Sequence, residues 1–438
     1  MRSTIQRREP AVPKASASAP RPTARQAATE TGFTALELLL ALGLGIAVTA
    51  TALLLFQHSG KVARSQTFVA EMQDASRKAQ HEIIRMTRMA GRGGLPFGTL
   101  PHGIALAVEN DTPASGDRRH IAVGDTASPA VLAGTDVLIV RGVIGTPIYQ
   151  SNPLASDFTL DDPDDPTGGT LRLFDPHPTS GIPQDLETLA DALQDDPHPA
   201  LLLVSPLDAW AVVEVNVAAS DLSQLPERIT LAFTIGSVSG SAVADQYAKL
   251  SGGFPAELHG VSHAGLLEEH RFYIREEYER AGDATSLLVP RLAELLFYPN
   301  TQLPHPANSD FTAEIADNIM DLQVTLGVDA DFDGVVAEGT DDATRAADEW
   351  LFNAAGDVDG NGAPLDPGAW NPTAATPHYV RVTALARSDR PDLGYQADEL
   401  VRIEDRDFSG PPHDRFNEIA ERRFRRRLLS TVVDMRNL

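Results

Sequence analysis

From Leu38 to Phe56 the chain runs nineteen residues without a charge, and this segment limits what everything after it can be. At about 1.5 Å of rise per residue, a helix of that length crosses the hydrocarbon core of a bilayer. Basic residues crowd the chain before it, whereas only Lys61 and Arg64 follow closely. By the positive-inside rule the N-terminus stays in the cytoplasm and the bulk of the chain is exported in a single pass.

One carboxylate interrupts the pattern. Thr31-Gly32-Phe33-Thr34-Ala35-Leu36-Glu37 leads into the apolar segment, and a charge at the edge of a spanning helix costs roughly 2 to 3 kcal/mol unless neutralised. A cut after Gly32 would create an amino group on Phe33, a partner of the right charge for Glu37 of a neighbouring copy. Residues 1–32 read as a basic leader outside any fold. Arg2, Arg7, Arg8, Lys14, Arg21 and Arg25 stand there against Glu9 and Glu30, in a context of Pro, Ala, Ser and Thr with no apolar periodicity. A secretory signal peptide fits less well, because Phe56 to Gly60 offers only a poor small-x-small cleavage site; a plain anchor has no use for Glu37.

Gly32, Phe33, Thr34 and Glu37 ahead of a Leu/Ala-rich helix resemble the class III prepilin signal of type IV pilins and type II secretion pseudopilins. The resemblance implies that prepilin peptidase cleaves after Gly32, that Phe33 is then N-methylated, and that Glu37 assists docking into the growing filament. It also implies an inner-membrane protein with a periplasmic C-terminal domain, later carried into a pilus or pseudopilus at the cell surface.

Apolar residues recur beyond the membrane segment at Val62, Val69, Met72, Ala79, Ile83, Met86 and Ala90, steps that trace one helical face. Gly91 to Pro96 supplies the stop. A helix over 33–92, with its transmembrane half at 36–56, therefore precedes a soluble domain over 95–438. That domain reads as β-rich. Strands are predicted at Ile104 to Val108, Asp136 to Val143, Ala200 to Val204, Trp210 to Val217, Ile229 to Ile235 and Arg271 to Ile274. Others are predicted at Ser286 to Val289, Leu322 to Leu326, Tyr379 to Ala386 and Leu428 to Val433. Helices are expected at Asp185 to Leu193 and Phe311 to Met320. The fold class is α+β and pilin-like, a long helix packed against a large β-rich domain. Ser151 to Pro199, rich in Asp and Pro, reads as an acidic surface insertion.

Three later stretches are similar to PilW-type minor pilins: Thr135 to Arg141, Ile319 to Asp331, and Arg427 to Asn437. The size of the soluble domain favours this subgroup over the shorter major pilins and suits one copy at a filament tip. Three functions follow: a minor pilin in type IV pilus assembly, a minor pseudopilin of a type II secretion system, or a membrane-anchored calcium-dependent binding or hydrolytic ectodomain. The first two imply prepilin peptidase, the inner membrane, and other minor and major pilins as partners.

The domain carries no cysteine, which excludes disulfide scaffolds and thiolate metal sites, and the net charge of −25 argues against nucleic acid as a partner. Arg422, Arg423, Arg425, Arg426 and Arg427 read as partners for the chain's own carboxylates or an adjoining subunit, with Phe424 packing between them. The sequence has no H-E-x-x-H and no P-loop; Gly260 to Ala264 fails the G-x-S-x-G pattern at its last position, so nothing points to an enzyme. His259, His263 and His270 read as surface-loop residues. Calcium is the candidate ligand of the acidic loops over 329–366, where Asp329, Asp331, Asp333 and Gly334 form D-x-D-x-D-G, and Asp357, Asp359, Asn361 and Gly362 form D-x-D-x-N-G. Alternate acids with a turn glycine bring several oxygens to one side, as a hard cation requires. The twelfth-position acid is missing, so Glu338, Asp341 or Asp366 would have to close the sites; the alternative is a solvated Asx-turn. Melting curves with and without a chelator check the calcium expectation: bound calcium lowers the midpoint on chelation, and an unchanged midpoint removes it.

Overall fold

A single helix, α1 (Ala35–Thr87), opens the computed structural model, and its side chains meet two different environments. The model describes residues 33–95, 105–110, 132–152, 157–162, 167–196, 199–206, 209–235, 260–280, 285–297, 313–329, 333–338, 349–351, 377–410 and 416–435. Contacts divide the chain into two units, Met1–Ala63 and Arg64–Leu438. In the first, the helix exposes Leu36, Leu39, Ile46, Leu53 and Phe56 alike, with no preferred face. It is long and apolar enough to cross a membrane. In the second, Met72, Ser76, Ala79, Ile83 and Met86 form one buried stripe at steps of four and three, the face an amphipathic helix turns to a core. Positive φ at Gly91, Gly93 and Gly94 ends the run. A Cβ on Gly93 would lie 2.6 Å from Val143 Cγ2, so close packing also demands glycine there.

Eighteen strands, numbered in chain order, are found among the described residues. A five-stranded sheet runs β1 (Leu106–Glu109), β2 (Val137–Gly142), β10 (Glu268–Tyr278), β11 (Leu288–Phe297), β12 (Ala313–Asp317). A four-stranded sheet runs β14 (Trp350–Leu351), β13 (Ile319–Val328), β15 (Pro377–Arg387), β18 (Arg426–Asp434). A seven-stranded sheet runs β3 (Tyr149–Gln150), β9 (His263–Leu266), β6 (Ala200–Val204), β7 (Trp210–Asp221), β8 (Arg228–Thr234), β5 (Gly168–Phe174), β4 (Phe158–Leu160). A small ribbon pairs β16 (Arg402–Ile403) with β17 (Arg406–Asp407). The α+β class expected from the sequence is what forms.

The helix stripe shares one core with Leu138 and Val140 of β2, Phe272 and Ile274 of β10, alternate residues of β13 and β15, and Leu202 of β6. The opposite face of the seven-stranded sheet builds a second core, into which α2 (Leu186–Asp195) inserts Leu186, Leu189 and Leu193. Asp185 caps that helix by accepting from Thr188 N at 3.0 Å. Here the structure corrects the sequence reading. The span 151–199, marked by its acids and prolines as a surface insertion, supplies β4, β5 and α2, and it buries Phe158, Leu171 and Leu173. Among its described residues Asp161, Asp162, Glu187 and Asp191 are exposed, so composition masked an amphipathic sheet. The helix expected over Phe311 to Met320 is likewise absent: β12 runs there, and Asn318, at φ 62, breaks the chain before β13.

Every one of the ten residues of β13 is buried. Ile319, Met320, Leu322, Val324, Leu326 and Val328 enter the main core, whereas Asp321, Gln323 and Thr325 carry polar groups that cannot be left unpaired without cost. Asp321 pairs with the equally buried Arg406, whose guanidinium lies 4.8 Å from the Phe408 ring centroid. Burial pushes the Asp321 carboxyl up to about 6 against the pull of Arg406, so it remains ionised at neutral pH. Gln323 donates to the Gly134 carbonyl at 3.1 Å. Asp136, at the start of β2, completes the strand. Its N–H donates to the Leu322 carbonyl at 2.9 Å, and its carboxylate accepts from Val324 N at 2.7 Å. One residue thereby does the work of a paired strand and joins two sheets.

The five-stranded sheet holds two more ionic groups. Glu269, fully buried, accepts from Arg141 Nε and Arg271 Nε, each at 2.6 Å. Burial opposes its charge, but the two guanidiniums prevail and hold its carboxyl down at about 2. His270 lies between Glu294 Oε1 at 2.7 Å and Glu268 Oε2 at 3.1 Å. It is a strand residue in an ion-pair cluster, not the surface-loop residue expected; His263 is exposed on β9, and His259 lies outside the described residues. Burial disfavours the imidazolium, yet its hydrogen bonds to both glutamates push the ring up to about 9.

Replacing Glu269→Gln is expected to cost about 3 to 5 kcal/mol in urea unfolding of the full chain in detergent, because it leaves two guanidiniums buried without a counter-charge. His270 supplies a pH signature. Its folded value lies above the ordinary 6.5, so its stabilisation is complete below about pH 6.5 and disappears as the pH rises through about 9. His270→Leu is expected to flatten that slope in denaturation midpoints measured from pH 6 to 10.

Candidate functional site

The residues that carry the processing motif stand at the first turn of α1. Thr34 takes the N-cap position and Glu37 the third helical position. Glu37 Oε2 accepts from Thr34 N and from Thr34 Oγ1, both at 3.0 Å, while Thr34 Oγ1 accepts from Glu37 N at 3.3 Å. This reciprocal arrangement is a capping box, which satisfies backbone donors that the first turn would otherwise leave open. A carboxylate there also faces the positive end of the helix dipole. The motif analysis singled out Glu37 for a partner on another copy and missed the one three residues before it. The signal was in the sequence, since Thr-x-x-Glu ahead of an apolar run is the capping-box pattern.

Phe33 is 84% exposed, immediately before the cap. Gly32, the last residue of the leader in the sequence reading, lies outside the described residues, as do residues 1–31. A glutamate held at the helix start beside an unobstructed phenylalanine can exchange its neutral donors for a stronger charged one when such a donor arrives.

The acidic loops are described in part. Asp329 Oδ1 accepts from Asp333 N at 3.1 Å and Asp329 Oδ2 from Gly334 N at 2.9 Å. Asp333 Oδ1 accepts from Val335 N at 2.8 Å, and Gly334 has φ 87. These are Asx-type turns in which backbone amides occupy the carboxylates. Glu338 pairs with Arg381. Asp331, Asp357, Asp359 and Asn361 lie outside the described residues. Among the described residues no three His, Asp or Glu side chains come together as a metal set.

The arginine cluster is drawn inward at several positions. Arg422 donates to the Ala397 carbonyl at 2.9 Å and pairs with Glu399. Arg425 pairs with Asp392 at 3.0 Å and lies 4.5 Å from the Tyr395 ring centroid. Phe424 is buried, with Arg387 stacked 4.3 Å from its ring centroid. The basic run leading into β18 thus holds the segment that follows β15, and Arg422 and Arg425 pair with the chain's own carboxylates there.

The three stretches noted for their likeness to one family meet in space. Asp136 of the first bonds to Leu322 and Val324 of the second, and β18 of the third pairs with β15, the neighbour of β13. They record one structural unit. Residues 271–437 match the family model of Type IV Pilus-assembly protein W. No curated protein and no solved structure matches the chain. Over the matched residues the chain is similar to PilW-type proteins, a likeness that supports a part in type IV pilus assembly.

Proposed function

We propose that the chain is a minor pilin, cut after Gly32 by prepilin peptidase, N-methylated on Phe33, and placed at or near the tip of a type IV pilus. One conjunction carries this reading: a pilus-assembly family match over 271–437 on the same chain as Gly32-Phe33-Thr34-x-x-Glu37 before an exposed apolar helix. Neither half alone would suffice.

The chemistry follows from the capping box. In the uncut chain Glu37 holds only neutral donors from Thr34. Cleavage creates an ammonium on Phe33, and a charge-assisted bond from that group on a neighbouring subunit is about twice as strong as a neutral one. Within hydrocarbon the low dielectric strengthens the pair further, and an unmatched glutamate would be penalised. Subunits whose helices are in register are thus selected over those that are not. A large domain over 95–438 would crowd a repeating fibre, whereas a single copy above the others meets no such limit. The match to a pilus-assembly protein favours the pilus over the type II secretion pseudopilus. Prepilin peptidase, the inner membrane, and minor and major pilins are the partners of this reading, with the soluble domain periplasmic before assembly.

Mass spectrometry of the chain from cells that hold the peptidase is expected to find N-methylated Phe33 at the terminus; a retained Met1 would refute the reading. Glu37→Ala is expected to insert into the membrane normally yet fail to enter filaments, as read by immunoblots of sheared pili.

A further inference from the structure

Each of the three larger sheets ends in two edge strands, and five of these six edges are short. β1, β3, β4, β12 and β14 run for two to five residues, whereas β18 runs for nine. It pairs with β15 alone. Its register, from Tyr379↔Asp434 to Arg387↔Arg426, holds no bulge, and Leu428 to Val433 contains neither proline nor charge. Short length, bulges, prolines and charges are the usual devices that keep an edge from pairing with another chain.

Hydrogen bonds at the two ends of the ladder fix which backbone groups face outward. Met435 N donates to the His378 carbonyl at 3.1 Å, and Ser388 N to the Arg425 carbonyl at 2.8 Å. Odd-numbered residues of β18 therefore turn their N–H and C=O groups toward β15, and Leu428, Ser430, Val432 and Asp434 turn theirs away. Among the described residues no backbone group meets them. Side chains alternate in step. Thr431 lies on the helix side, where Gln80 of α1 donates to its Oγ1, and Val433 enters the main core. Leu428 and Val432, on the other face, are 51% and 52% exposed. Arg427 and Asp434 are exposed near opposite ends, and neither forms an ion pair among the described residues.

We propose that the open edge of β18 receives an extended segment of a neighbouring, different pilus subunit as a fifth strand of this sheet. Backbone groups of the outward residues hold it, a carboxylate faces Arg427, and apolar side chains lie beside Leu428 and Val432. Arg427 falls at a non-hydrogen-bonded position of such a pair, where facing side chains approach most closely. A second copy is the wrong occupant despite its matching charges. Its β18 would place Asp434 opposite Arg426 and Val432 opposite Leu428, but the two-fold axis of that pair stands normal to the sheet. The stretch of α1 packed on the sheet would then run in opposite directions in the two copies, whereas chains anchored in one membrane share a helix direction. The subunit source rests on the minor-pilin reading above; the strand addition does not.

The test has two arms, both on the full chain. In detergent, fluorescence anisotropy is used to titrate a labelled Val/Thr nonapeptide with glutamate at one end, and the same peptide N-methylated at alternate residues. Only the first is expected to bind, and binding is expected to slow amide exchange at Leu428, Ser430 and Val432. Val432→Pro removes an outward donor and leaves the β15 ladder intact, so it is expected to weaken binding at least about tenfold while Leu429, Thr431 and Val433 stay protected. Arg427→Glu is expected to shift preference to a lysine-ended peptide. Equal binding of the N-methylated peptide, or slow exchange of the outward amides without any peptide, overturns the proposal whatever the fate of the pilus reading. The second arm exploits the absence of native cysteine. A benzophenone on Leu428→Cys is expected to capture an identified pilus subunit other than this chain in assembling cells, and adding Val432→Pro is expected to abolish that capture. Peptide binding without such capture, or capture of this chain itself, refutes a different subunit as the source, while the mature N-terminus separately reports on the minor-pilin reading.

Discussion

A ten-residue strand with no exposed position organises this protein. Strand β13 presents apolar side chains to the main core and Asp321, Gln323 and Thr325 to the other side, where water is equally absent. That face is matched only in part, since Gln323 Oε1 and Thr325 Oγ1 find no hydrogen-bond partner among the described residues. Arg406 meets Asp321, and Asp136 supplies a donor and an acceptor to Leu322 and Val324. Buried pairs of this kind add little net stability over an apolar replacement, but the loss of one member is severe. Their effect is to set which strand lies against which, since any slip in register would strand a charge.

The helix changes character along its length. Its first half is apolar on every side, as a lipid-exposed segment must be, and its second half narrows to the stripe from Met72 to Met86. Among the described residues, the Thr34 and Glu37 capping box closes the start of the helix.

Much of the sheet was legible because apolar alternation survives in the sequence. Ala200–Val204 forms as read, and the longer strands β7, β10, β13 and β15 extend beyond the apolar runs that revealed them. In β10 the extra residues are charged or polar, and Arg275 and Glu277 among them pair with Glu314 and Arg291 of the neighbouring strands. The span 151–199 was misread for the opposite reason, its many aspartates hiding β4 and β5, although its helix α2 was expected from the sequence and forms. His270 also eluded sequence analysis, since Glu294 joins it only through the pairing of β10 with β11.

What the sequence determined alone is what depends on near neighbours: the charge-free helix, its capping pattern and the glycine stop. These follow from residues a few positions apart, where spacing and chemistry suffice. The tertiary structure decided what depends on distant ones: Asp136 against β13, Arg406 against Asp321, and two cores in place of one. A buried charge or acceptor has meaning only through the group that faces it, and in this chain such groups lie as far as 273 residues apart in sequence, as Arg406 and the Ala133 carbonyl do.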